Sequence, residues 1–213
     1  MVGAPHHVQK CLDVGIDLII AQGTEAGGHT GDVATSVLVP SCVDLCKGKT
    51  NFFGQPVTVV AAGGIFDGRG LAASLCFGAS GVWVGTRFIA CEEAGSGPFH
   101  RKRILEAKAT DTTRTTAFTG RPCRVMRTKY VRGWEEKPME LKALTDQGVI
   151  PWINDMENDK AMPSEFFPSL MGQCAGAITE VKTAQAIVDE MMADATQCLK
   201  QAASLAPAFK ARL

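Results

Sequence analysis

Two kinds of block alternate along the first ninety residues. Short blocks are apolar almost throughout: residues 17–21, Thr58-Val59-Val60-Ala61-Ala62, and Gly81-Val82-Trp83-Val84. Apolar runs this short, bounded by glycine, predict strands buried on both faces. Between them lie segments whose apolar residues recur at helical spacing. These are residues 5–14, with Val8, Cys11, Leu12 and Val14, then 36–47 and 70–77. Pro5 suits the start of the first segment, Asp67 offers a side-chain cap to the third, and Gly78 supplies its stop. Twice, then, a helix joins two apolar strands through short connections, which predicts parallel strands with right-handed crossovers.

Beyond residue 95 the pattern loosens. Residues 98–109 read as a helix rich in Arg and Lys, and 111–118, dense in threonine, as extended chain. The stretch 133–168, crowded with Pro, Trp and charge, reads as loop-rich. Residues 181–207 predict a long amphipathic helix with Ile187, Val188, Met191, Ala195, Cys198, Leu199 and Ala202 on one broad face.

Composition narrows the class. A chain of 213 residues suits one sizeable core. Lys plus Arg balances Asp plus Glu at 22 each, so no positive field favours nucleic acid or an anionic membrane surface. No apolar run approaches the roughly 20 residues of a spanning helix, and the first residues lack the pattern of a secretory leader. A soluble, cytoplasmic protein is the expectation. The eight cysteines show no C-x-x-C spacing and sit largely in apolar segments, as free thiols in a reducing compartment would. Cys42 and Cys46 share a helix face and are expected to pack in the core.

The chemistry concentrates at the strand ends. Three glycine-bearing loops follow three consecutive strands: Gly23 to Gly31 within AQGTEAGGHTGD, Gly63-Gly64, and Gly85-Thr86. In a parallel sheet or barrel such loops emerge on one face, where ligands bind, and paired glycines let backbone N–H groups approach an anion. Neither a dinucleotide fingerprint nor a nucleotide P-loop is present. His29 lies inside the first loop, where a neutral imidazole can take a proton or hydrogen-bond a developing oxyanion. Glu25 could orient it or cap a helix. His6, His7 and His100 have no comparable setting, and no metal is expected because no His, Cys, Asp, Glu set has ligand spacing. Arg87 and residues 101–103 could meet a phosphate or simply water.

The motifs A-Q-G-T-E-A-G-G-H-T-G, A-A-G-G-I-F-D-G-R-G, G-A-S-G-V-W-V-G-T-R-F, F-T-G-R-P-C-R-V-M-R-T and G-Q-C-A-G-A-I together resemble the nitronate monooxygenase family, flavoproteins formerly called 2-nitropropane dioxygenases. The resemblance implies an α/β TIM (β/α)8 barrel that binds FMN non-covalently and oxidises alkyl nitronates with O2 to a carbonyl compound and nitrite. Carried over by motif, His29 is the catalytic histidine. Gln22 and Gly27 are flavin contacts, Gly64 is a phosphate donor, and Trp83, Val84, Gly85 and Thr86 form the last phosphate-binding stretch. The partners implied are a small nitronate substrate and O2. His29 is expected to stabilise the nitro oxygens and, where a neutral nitroalkane is accepted, to remove its α-proton.

Only three clear barrel strands are legible, against eight in a closed barrel. The expected organisation is therefore one partial FMN-binding barrel domain over residues 1–213, the C-terminal portion of the fold, with a loop-rich and helical extension from about 98 to 213. Uncovered parallel strands expose backbone donors and apolar surface, so instability or a homo-oligomer is expected. Two alternatives stand beside the enzyme reading: a catalytically dead remnant with a binding role, and the related flavin-dependent enoyl-ACP reductase, which needs a reduced nicotinamide. Ala211-Arg212-Leu213 loosely matches a peroxisomal address.

Overall fold

A computed structural model describes residues 1–158 and 163–210; Ala211-Arg212-Leu213 lies outside the described residues. Three parallel strands form the first sheet: β1 (Leu18–Gln22), β3 (Thr58–Ala62) and β4 (Gly81–Trp83), in the order β1-β3-β4. Val2 adds a parallel bridge to Ala21 on the free side of β1. Helix α1 (His7–Asp13) precedes β1, α2 (Thr35–Cys46) joins β1 to β3, and α3 (Gly68–Cys76) joins β3 to β4. This is the βαβαβ arrangement that the alternating blocks predict. Asp67 caps α3 as expected, its carboxylate accepting from the Gly70 N–H at 2.9 Å.

Burial departs from the expectation in one respect. Ile19, Ala21, Val59 and Ala61 are buried and pack with Leu38, Val39 and Cys42 of α2. Their neighbours Leu18, Ile20, Thr58 and Val60 are only half-buried or exposed. The helices cover one face of the sheet, and strand alternation turns every second side chain to the other. Cys42 and Cys46 lie in the core, as their spacing suggests.

A second sheet grows out of the first loop. The two-residue strand β2 (Gly28–His29) pairs antiparallel with β6 (Cys123–Met126), which pairs in turn with β5 (Thr112–Thr115). Short α4 (Thr86–Ile89) and α5 (Pro98–Glu106) lead to this hairpin. The stretch read as loop-rich is instead largely helical: α6 (Lys129–Glu135), α7 (Pro138–Asp146) and α8 (Pro151–Asn158). Two of its prolines occupy first turns, where the missing N–H costs nothing, so they begin helices rather than break them. Tyr130, Trp152, Phe118 and Phe167 form an aromatic cluster that anchors α6 and α8 to the hairpin, with neighbouring ring centroids 5.2–5.5 Å apart.

The long α9 (Ala184–Lys210) returns to the first sheet and packs on α3. Ile187, Met191 and Ala195 bury its inner face, Cys198 and Leu199 are half-buried, and Val188 and Ala202 are exposed. The apolar stripe is thus narrower than the sequence pattern implied. Among the described residues no helix is long and apolar enough to cross a membrane.

Candidate active site

Strand register brings the three loops together. Gln22 pairs with Ala62, and Ala62 pairs with Trp83, so β1, β3 and β4 end in one row. Chain leaving level strands in the same direction must pass over the same ground. Gly27 and Gly28 of the first loop, Gly63 and Gly64 of the second, and Gly85 and Thr86 of the third accordingly line one cleft of about 220 Å³. Gly63 and Gly64 have φ of +101° and +73°, which side chains resist, and this left-handed turn carries the chain across the strand exit.

The cleft offers donors. Among the described residues, the backbone N–H groups of Gly63, Gly64, Gly85 and Thr86 donate to no protein acceptor. A side chain at Gly28 or Gly85 would meet nothing within 4 Å, so both positions border open space. The Gln22 side chain lines the cleft and makes no side-chain hydrogen bond among the described residues. Its amide remains available in both senses, as donor and acceptor.

The wall opposite is supplied by the last of the five motifs. Thr86 Oγ1 accepts from the Gly172 N–H at 2.9 Å, and Cys174 borders the same cleft. Burial pushes the Cys174 thiol above its ordinary range. Trp83 stands at the rim, 57% exposed. Val84, expected in the same stretch, turns its side chain to the core on the helix-covered face.

The arginines considered for phosphate contact hold backbone instead. Buried Arg87 donates to the Glu180 carbonyl at 3.1 Å, and Arg103 to Phe167 O and Ser169 Oγ at 2.9 and 2.7 Å. Arg101 reaches the Ala94 carbonyl at 3.3 Å. Among the described residues, the donors left open toward this cleft are main-chain amides and the Gln22 side chain.

His29 borders a second cleft, of about 460 Å³, that adjoins the first and shares Gln22 with it. Arg121, Thr30 and His7 also line it, so His7 has a setting the sequence did not reveal. His29 is exposed, with Nε2 2.9 Å from Thr119 Oγ1. Glu25 does not orient it. Its carboxylate accepts from the Thr35 N–H at 3.1–3.2 Å and from the Thr35 hydroxyl at 2.9 Å, capping α2.

Sequence reasoning missed Thr119, Arg121, Cys174 and Leu170, which also lines the first cleft, although all but Leu170 belong to quoted motifs; chain separation hid their destination. Trp134 lines a different cleft, and Trp152 lies in the aromatic cluster, so neither borders His29.

Comparison with known proteins places the chain in a family. The family model described as nitronate monooxygenase matches residues 1–206. A Mycobacterium tuberculosis protein named as a monooxygenase, Rv1533, is 36% identical over 201 residues, covering 90% of this chain and 51% of that protein. A Staphylococcus saprophyticus protein named as a nitronate monooxygenase is 36% identical over 155 residues, covering 66% of this chain and 41% of that one. The structure of FabK from Thermotoga maritima superposes with a TM-score of 0.78 at 31% identity, covering 95% of this chain and 62% of that chain. The chain spans about half, or less, of the length of these curated relatives. Its three-stranded parallel sheet with outer helices is part of a (β/α)8 barrel. The chain belongs to the nitronate monooxygenase family, a family of oxidoreductases.

Proposed function

We propose that this chain carries the flavin site and the histidine of an FMN-dependent nitronate monooxygenase, oxidising an alkyl nitronate with O2 to a carbonyl compound and nitrite. One observation carries the reading: the amides of two glycine loops, unpaired among the described residues, share a cleft that meets the His29 cleft at Met1 and Gln22. A phosphate needs clustered donors without side chains in the way, and a flat ring needs an open edge with a directed amide beside it. The residues present fit both needs.

In this reading Gly63, Gly64, Gly85 and Thr86 would hold the phosphate through their N–H groups. Gln22 would hydrogen-bond the ring where the two clefts meet, and Gly27 and Gly28 would let the first loop lie close to it. When bound, FMN supplies the electron acceptance and the reaction with O2 that no side chain can provide. The protein's share is placement and proton handling. His29, across Gln22 from the glycine cleft, takes the α-proton of a neutral nitroalkane and leaves the nitronate. A substrate presented as the nitronate has no such proton to lose.

The test is direct. The purified protein should show a flavin absorbance spectrum and release nitrite from propionate 3-nitronate without added nicotinamide. A colourless preparation that does not bind added FMN counts against the reading, as does nitrite release only with reduced nicotinamide.

A further inference from the structure

The F-T-G-R-P-C-R segment reaches His29 from about ninety residues away, and several of its residues are fixed by packing or pairing. Phe118 is buried against Tyr130 and Trp152, with ring centroids 5.5 and 5.2 Å away. Gly120 turns the chain with φ +71° while its N–H donates to the Thr116 carbonyl at 2.8 Å. Cys123, 1% exposed, pairs with His29 itself, and Arg124 pairs with Gly28. Arg124 then reaches back with Nε to the Thr24 carbonyl at 2.9 Å. One hairpin therefore fixes both the backbone of His29 and the half-buried residue between Phe118 and Gly120. That residue is Thr119.

We infer that Thr119 is a positioning residue that sets the tautomer of His29. Its hydroxyl has one proton, and that proton has an acceptor in the Arg121 carbonyl at 3.1 Å. With the proton so committed, the hydroxyl oxygen meets His29 Nε2, 2.9 Å away, as an acceptor. Nε2 must then carry the imidazole hydrogen. The lone pair of the neutral ring falls on Nδ1, which becomes the basic atom. The inference rests on the functional reading above for its consequence. When a neutral nitroalkane is deprotonated, the C–H bond breaks, its electron pair stays with the carbon and nitro group as the nitronate, and the proton goes to Nδ1. The imidazolium that results keeps its Nε2–H on Thr119, a bond strengthened by the new charge.

Nitrogen-15 NMR of the histidine side chains in the full chain tests the assignment without turnover, with the H29N spectrum identifying the His29 signals. The expected wild-type spectrum of the neutral ring has a pyrrole-type Nε2 and a pyridine-type Nδ1 for His29. T119V, which keeps the shape and removes the hydroxyl, should draw the two signals toward each other, and T119S should restore them. A pyridine-type Nε2 in the wild type overturns the inference, as does a T119V spectrum unchanged at His29. In the kinetic arm, T119V should lose about tenfold in kcat with a neutral nitroalkane, less than the roughly 10² for removing the base itself, and lose less with the preformed nitronate. Equal losses on both substrates overturn the proposed role. A wild-type protein inactive on both substrates defeats the functional reading alone, because the NMR result still decides what Thr119 does.

Discussion

The carboxylate of Glu25 receives both the backbone N–H and the hydroxyl of Thr35, residues ten apart that meet across the mouth of the first loop. The loop that carries Gly27 and His29 is thereby tied to the first turn of α2, and a negative charge sits where the helix dipole favours it. Thr35 Oγ1 also lies 3.0 Å from the Gly63 carbonyl, so the first two glycine loops share one anchor.

Removing that anchor should loosen the fold at the site. E25A is expected to destabilise the protein by about 1–2 kcal/mol, the scale of a lost charged cap, and E25Q by less because an acceptor oxygen remains. For a chain of this size each kcal/mol lowers Tm by roughly 2–4 °C. Thermal unfolding of the two variants checks it; equal Tm for E25A and wild type would show that the cap contributes nothing.

Gly85 separates binding from folding. A Cβ there meets no atom within 4 Å and the backbone has φ −101°, so G85A should unfold at the wild-type temperature. The added methyl nevertheless borders the cleft whose amides are proposed to hold the phosphate. Weaker FMN retention at unchanged Tm, read by flavin absorbance after dialysis, is the expected result, and full retention would place the phosphate elsewhere.

His29 should matter for one substrate form more than the other. H29N is expected to keep FMN bound while lowering turnover of a neutral nitroalkane by roughly 10², the usual scale for a general base. Unchanged turnover of that substrate would remove His29 from the proton transfer.

Stability should fall on the alkaline side. Burial, and then the neighbouring Cys46 and Cys11, push the Cys42 thiol from an ordinary value near 9 up to about 11. Between those values the unfolded chain has given up the Cys42 proton and the folded chain has not. The folded state binds more protons, so stability declines as pH rises through this window. C42A should make the decline shallower in denaturant titrations between pH 8 and 11, and an identical slope would show that other groups set it.

The sequence exposed the first sheet and the glycine cleft for a shared reason. Thr58–Ala62 is strand over the span its apolar run marks, and the 36–47 periodicity falls one residue from α2 at each end. Local patterning determines such elements, and level strand exits then follow from the parallel topology. What stayed hidden depends on distant partners. β2 is two residues long and exists because β6 pairs with it from about ninety residues away. β6 has no alternation to betray it: Cys123, Arg124 and Val125 are all buried, the Arg through bonds to Thr24 O and Thr112 Oγ1. Pro138 and Pro151 read as breakers in isolation and act as helix starts. The role of Glu25 was undecidable for the same reason, since its partner Thr35 is identified only by the loop's path.

The placement of the tryptophans gives the molecule an internal optical gauge. Trp83 faces water at the cleft rim, while Trp152 is walled by Phe118, Tyr130 and Phe167. Indole emission from the first is long in wavelength and open to quenchers, and emission from the second is shorter in wavelength and shielded. A chromophore settling beside Trp83 would dim that residue's emission and spare Trp152, and with the third tryptophan, Trp134, replaced by Phe, occupancy and integrity can be read separately from one trace.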